Sequence, residues 1–126
     1  MTGRTFTVEL PAGLPLLNAN RRIHWRRRAE LTKDIRSTAW MLTRARGIPG
    51  LARAQVVCEY LPPDRRRRDV HNLYPSAKAA VDGLVDAGVL PDDSDRYLVG
   101  PDMRLGEIKP KGQLVLHITE LEVARG

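Results

Sequence analysis

The sequence predicts an α/β (more narrowly α+β) fold, a single two-layer domain over residues 1–126 with helices packed on a mixed β-sheet. Three observations predict it. Apolar and polar residues alternate with period two near both ends of the chain and again at residues 54–60. Two longer stretches carry apolar residues every three to four positions instead. These signals follow one another as β-α-β-α-β-β, with no internal repeat, low-complexity tail or domain linker between them. A chain of 126 residues is sized for one hydrophobic core.

Taken in order, Phe6, Val8 and Leu10 alternate with Thr7 and Glu9, which predicts a half-exposed strand near residues 4–10. Pro11, Gly13 and Pro15 break it. Residues 16–28 have no clean period and read as a loop carrying Arg21, Arg22, Arg26, Arg27 and Arg28. A helix is expected over residues 27–46, with Leu31, Ile35, Thr38 and Leu42 on its buried face and Gly47, Pro49 and Gly50 ending it. Residues 54–60 form a second strand, closed by Pro62 and Pro63. Ala77, Ala80, Val81, Leu84 and Val85 then recur at helical spacing, with Pro75 suited to the first turn and Gly88 to the C-terminal cap. A short strand is expected at residues 97–99. A final strand at 114–119 follows a turn at Lys111-Gly112. Trp25 and Trp40 sit at helical positions and are expected in the core or at an interface, while His24 and His117 read as structural or surface residues.

Composition excludes several classes. Hydrophobic residues at 42% and charged residues at 29% rule against wholesale disorder. No apolar run approaches the ~20 residues of a membrane span, and residues 1–6 lack the apolar stretch of a signal peptide. The expectation is a cytoplasmic protein. Cys58 is the only cysteine, which excludes an intramolecular disulfide and a Cys-rich zinc site, and its apolar surroundings predict a buried, inert thiol. The net charge of +6 is unevenly spread: residues 1–68 hold 15 Lys/Arg against 5 Asp/Glu, and residues 69–126 hold 6 against 10. A basic half suits a polyanion, nucleic acid above all. An acidic half beside it suits a nuclease, in which cations hold the backbone and carboxylates hold a divalent ion.

Two segments concentrate that chemistry. In residues 63–72 four arginines, Arg65 to Arg68, directly precede Asp69, His71 and Asn72. Residues two apart in an extended chain project to the same side, so Asp69 and His71 are expected to face one ion. Oxygen and imidazole donors together suit Mg²⁺ or Mn²⁺ rather than a soft metal. In residues 88–95, Asp92, Asp93 and Asp95 follow the second helix. That helix is about 20 Å long at 1.5 Å per residue. The two acidic groups therefore meet only if the chain after Gly88 folds back toward the helix start. Singly, each feature has a plainer role: a solvated basic face for Arg65–Arg68, a polar turn for residues 92–95, and a surface ion pair four residues apart for Lys78 and Asp82.

Their order is more telling. Residues 63–120 resemble the RusA family of Holliday-junction resolvases. The resemblance rests on Pro63-Asp-Arg-Arg-Arg-Arg-Asp-Val-His-Asn-Leu, on Lys78-Ala-Ala-Val-Asp-Gly-Leu-Val-Asp-Ala-Gly, on Leu90-Pro-Asp-Asp and on the closing Lys111-Gly-Gln-Leu-Val-Leu-His-Ile-Thr-Glu. The N-terminal part agrees only through an opening strand, a Pro/Asn/Arg loop at residues 15–22 and one long helix. The resemblance implies a RusA-like fold, Asp69 and Asp93 as metal-site carboxylates with Asp92 beside the latter, Lys78 near the scissile phosphate, and Asn72 as the family asparagine. His71 departs from the pattern, standing where the family has an aspartate, and Tyr74-Pro-Ser lengthens the segment before Lys78. Either His71 is a working ligand, or the site has lost an acid and the protein binds branched DNA without cutting it.

The function expected is metal-dependent hydrolysis of DNA phosphodiesters in a four-way junction, in recombination and repair. Mg²⁺ (or Mn²⁺) would be held by Asp69, Asp93, His71 and Asp92. Arg65, Arg66, Arg67 and Arg68 would bind backbone phosphates, Asn72 would also contact the DNA, and Arg21, Arg22, Arg26, Arg27 and Arg28 would reach further along the arms. Paired cuts in opposed strands call for a C2 homodimer, with apolar positions on residues 29–42 and 114–118 as interface candidates. No membrane and no small-molecule substrate are expected. The alternative is a non-catalytic branched-DNA-binding protein with a degenerate metal site.

Overall fold

The computed structural model describes residues 3–122. Strand β1 (Thr5–Glu9) leads through a loop to helix α1 (Trp25–Ala45), then to β2 (Ala54–Leu61). A 3₁₀ turn (Val70–Leu73) runs directly into helix α2 (Tyr74–Asp86), and β3 (Leu98–Leu105) and β4 (Gln113–Glu120) complete the chain. The four strands form one mixed sheet in the order β1-β4-β2-β3. β4 is antiparallel to both of its neighbours, whereas β2 and β3 are parallel. A parallel pair requires a crossover, and α2 is that crossover. The two-layer α+β domain read from the sequence is therefore the observed one.

Register explains which residues are buried. Val8 pairs with Leu116, and Leu116 with Cys58, so one row of fully buried side chains crosses three strands. Val56 and Ile118 form the neighbouring row. Leu31, Ile35 and Ala39 of α1 and Ala77, Ala80, Val81 and Leu84 of α2 close over this face as one core. Cys58 lies within it, and burial pushes its thiol up to about 12, as expected for an inert cysteine. On the opposite face His117 Nε2 meets Glu59 Oε1 at 2.9 Å, a partner that is distant in sequence.

Several expectations need correction. The buried face of α1 is Leu31, Ile35, Ala39 and Thr43, because a four-residue step keeps to the seam against α2; Thr38 and Leu42 are only half-buried. Trp25 and Trp40 are 69% and 43% exposed and are not core residues. β3 is much longer than residues 97–99: it continues through Gly100 and Pro101, which an edge strand tolerates because one side needs no ladder bonds. Leu114, Leu116 and Ile118 are buried in the core and so are not open to a partner, whereas Trp25, Trp40 and Met41 of α1 are exposed.

Both helices end in the same way. Gly88 at φ +86° follows α2, with its N–H bonded to Val85 O and the Val89 N–H bonded to Leu84 O. Gly47 at φ +65° repeats the pattern after α1, through Arg44 O and Thr43 O. Two left-handed glycines thus satisfy carbonyls that the helix ends leave open.

Candidate active site at the start of the second helix

Residues 62–73 leave the carboxyl end of β2 and enter the N-terminus of α2, so the arginine run, Asp69 and His71 are all delivered to that end of the helix. Asp69 has extended backbone and caps the 3₁₀ turn. Its Oδ1 accepts the His71 N–H at 2.9 Å and lies 3.2 Å from His71 Nδ1. The two residues therefore meet, but through a cap rather than along an extended strand as expected. The backbone N–H of His71, and then its ring, hold the Asp69 carboxyl below the usual carboxylate range. In the tautomer that directs Nδ1–H at Asp69, Nε2 lies on the exposed side of the ring, the arrangement that suits an imidazole ligand.

Lys78 lies one turn inside α2. Its Nζ bonds Asp82 Oδ1 at 2.9 Å and also bonds Asp93 Oδ2. The chain after Gly88 thus does fold back along the helix, the return on which any meeting of the two acidic segments depended. Burial alone would lower Lys78, but hydrogen bonds to Asp93 and Asp82 outweigh it and hold the amine above its ordinary value. The bond from Lys78 in turn keeps Asp93 below the carboxylate range. Asp92 Oδ1 accepts the Asp93 N–H at 2.7 Å, which fixes the turn that presents Asp93.

The arginine run divides. Arg68 is half-buried and donates to Asp64 Oδ1 and Asp64 O at 2.8 and 2.9 Å. Arg66 also approaches Asp64, at 3.5 Å. Hydrogen bonds from the Arg66 backbone and the Arg68 side chain hold Asp64 below the carboxylate range. Arg65 and Arg67 are exposed and have no ion pair among the described residues. Of the four arginines expected on phosphates, two are partly neutralised within the protein and two are open to a ligand.

Sequence reasoning missed Ser76, which is fully buried at the start of α2. Its Oγ accepts the Leu17 N–H at 2.7 Å and donates to Leu17 O at 2.8 Å. The Ala19 N–H bonds Asn72 O at 2.7 Å, so Asn72 acts on the fold through its carbonyl. These bonds fasten the arginine loop, with Arg21 and Arg22, to the entrance of α2. Arg27 is paired with Glu30 at 3.2 Å on the surface of α1, and Arg26 stacks over Trp25. A lone serine between Pro75 and Ala77 on the apolar side of a helix was the available signal.

The donors suit a hard divalent ion: carboxylates held ionised at Asp69 and Asp93, with an exposed imidazole at His71. They form two local clusters, Asp69 with His71 and Asp93 with Lys78 and Asp82. Among the described residues no three of His, Cys, Asp and Glu already stand grouped as metal ligands. The donor chemistry fits such an ion, and Asp69, His71, Asp92 and Asp93 are the residues that would hold it. Among the described residues no helix is long and apolar enough to cross a membrane. Neither protein-family models nor curated proteins compared with the chain give a match.

Proposed function

We propose that this protein is a divalent-metal-dependent, structure-selective endodeoxyribonuclease of the RusA type, resolving four-way DNA junctions. The observation that carries the reading is the return of Asp93 onto Lys78 at the end of α2 that also receives Asp69 and His71. A lysine held charged between carboxylates, beside a basic loop, is an arrangement suited to phosphodiester chemistry.

The chain's own residues divide the work. Lys78, oriented by Asp82 and Asp93, places its ammonium where the phosphoryl oxygens gain negative charge. Arg65 and Arg67, with Arg21 and Arg22 on the fastened loop, hold backbone phosphates and position the strand without reading sequence. Asp69 orients the His71 ring, and Asp92 fixes the turn that carries Asp93. A divalent ion, when bound by these carboxylates and His71, supplies Lewis acidity toward the phosphoryl oxygen and toward water. Paired cleavage of a two-fold symmetric junction calls for two such sites in a C2 dimer.

The test is cleavage of a labelled synthetic junction with Mg²⁺, Mn²⁺ or EDTA. Symmetric nicks that require metal and disappear in Asp69→Asn are expected. A tenfold or greater loss in His71→Ala would make the imidazole a working ligand. Tight junction binding with no cutting under either metal would replace the nuclease by a branched-DNA-binding protein with a degenerate site.

A further inference from the structure

A second polar feature adjoins the site, and of its residues the assignments above use only Arg21. A cavity of about 220 Å³ is lined by Leu14, Leu16, Asn18, Arg21, Tyr60, Leu73, Lys111 and Gly112. Its apolar lining is Leu14, Leu16 and Leu73, the last of which ends the 3₁₀ turn that Asp69 caps. Its polar wall consists of donors. Arg21 and Lys111 have no ion-pair partner among the described residues, and the Tyr60 hydroxyl has no hydrogen-bond partner there. Asn18 has committed its side-chain oxygen to the Asn20 N–H at 2.8 Å, which leaves its amide N–H₂ as the free end. No carboxylate lines the cavity. Two cations, a phenol and an amide around one hollow make a receptor for an anion.

The backbone at Lys111 points the same way. The Gly112 N–H bonds Lys109 O at 2.8 Å, closing a turn with Pro110 and Lys111 at its centre. Lys111 has φ +73°, the left-handed region, at the turn position that glycine or asparagine normally fills. A lysine there bears a steric cost that glycine does not. Glycine would make the turn without strain, so the feature to explain is the amine. Gly13, itself at φ +80°, lies against the lysine stem, where a Cβ would make ordinary contact at 3.5 Å from Lys111 Cβ and Cδ. Gly112 admits the phenol, since a Cβ there would lie 2.7 Å from Tyr60 Oη. The Asn18 turn is closed by the Arg21 N–H on Asn18 O at 3.1 Å, and the neighbouring Ala19–Asn72 bond ties it to the 3₁₀ turn. The cavity and the candidate active site therefore share one short, fastened element.

We infer that this cavity is a phosphate subsite that takes one backbone phosphodiester of the bound DNA strand away from the scissile bond, with Arg21 and Lys111 as its cations. The inference rests on the nucleic-acid reading above, and it gives the enzyme a second fixed point on the strand that sets where the scissile phosphate lies over Lys78.

The experiment is fluorescence anisotropy of a labelled four-way junction in EDTA over a salt series, with wild type, Arg21→Gln/Lys111→Asn and Arg46→Gln. Asparagine tolerates the left-handed conformation and Arg21 is exposed, so the double variant keeps the fold, with a Tm no lower than wild type. It should bind about tenfold more weakly at low salt, the loss of charge-assisted bonds to one phosphate. Its slope of log K against log salt should be shallower by about 1, the signature of one phosphate released. Arg46→Gln should match wild type. Unchanged affinity and slope in the double variant, with metal-dependent cleavage intact in wild type, would overturn the subsite alone. The expected slope change with no cleavage under any metal would keep the subsite and overturn the nuclease. Absence of DNA binding by wild type would overturn both. A final arm adds inorganic phosphate: a rise in Tm for wild type but not for the double variant, with unchanged DNA slopes, would make this a site for small phosphates and overturn the DNA assignment.

Discussion

At its C-terminal end α2 is closed by a glycine cap and packed on α1, with Asp86 paired to Arg36 of α1 at 2.6 Å; at its N-terminal end it is held by polar contacts to loops from elsewhere in the chain. The Gly88 N–H closes onto Val85 O, three positions back, and the Val89 N–H onto Leu84 O, five positions back. Gly83 lets α1 approach so closely that an added Cβ would stand 2.4 Å from Arg36 O and 2.8 Å from Ala39 Cβ. At the other end, Ser76 reaches Leu17 across 59 positions and Lys78 reaches Asp93 across 15. One end is a mainly apolar seam whose charged groups, Arg36 and Asp86, are paired with each other. The other collects charged side chains that remain partly open to water. The contrast separates the part of the helix that secures the fold from the part available for chemistry.

Substitutions at the two ends should differ in kind. Gly83→Ala gains roughly 0.5–1 kcal/mol of helix propensity but forces the two helices apart. Overpacking should win, with a loss of about 3 kcal/mol in chemical denaturation and unchanged junction affinity per folded molecule. Ser76→Ala should cost less, about 2 kcal/mol, by leaving the Leu17 N–H and C=O unpaired. It should also weaken junction binding, because the arginine loop loses its fastening; intact binding in Ser76→Ala would show that the loop is positioned by other contacts.

Smaller effects follow from charge. The folded-state pKa of Asp93 lies below its ordinary value of 3.8, so its contribution to stability is complete above that value and is lost as pH falls through the folded pKa. Asp93→Asn should therefore show a shallower fall of Tm below about pH 4 than wild type. Lys78 has the opposite sign: its contribution is complete below 10.5 and is lost as pH rises through the folded value. With side chains 42% and 33% exposed, Lys78 and Asp93 are screened and the effect on Tm stays small. The smallest change belongs to the packed end of α1. Thr43 is fully buried and its Oγ1 has no hydrogen-bond partner among the described residues. Thr43→Val should raise stability by about 1 kcal/mol, seen as a Tm higher by a few degrees.

What could be read from the sequence follows the same division. The strands, both helices and the glycine caps were legible because period and capping chemistry are local. β3 was underestimated because Gly100 and Pro101 argue against a strand, and only the edge position, with the register shift opposite Gln55–Val57, admits them. The 3₁₀ turn escaped because four residues carry no period, and with it the cap through which Asp69 meets His71. The residue types of the candidate site were legible as a pattern. The return of Asp93 to Lys78, the capture of Arg68 by Asp64 and the fastening of the arginine loop by Ser76 were not, since each depends on a contact that sequence spacing does not encode.

The most direct test of the central claim is the single-turnover cleavage rate of Lys78→Ala on a four-way junction with Mg²⁺, measured beside its Kd for the same junction in EDTA. If Lys78 acts on the phosphoryl oxygens, the rate should fall at least 100-fold while Kd stays within about threefold, one half-buried, already paired charge among many phosphate contacts. A rate that falls only in step with affinity, or cleavage at the wild-type rate, would contradict the account and move the chemistry away from the start of α2.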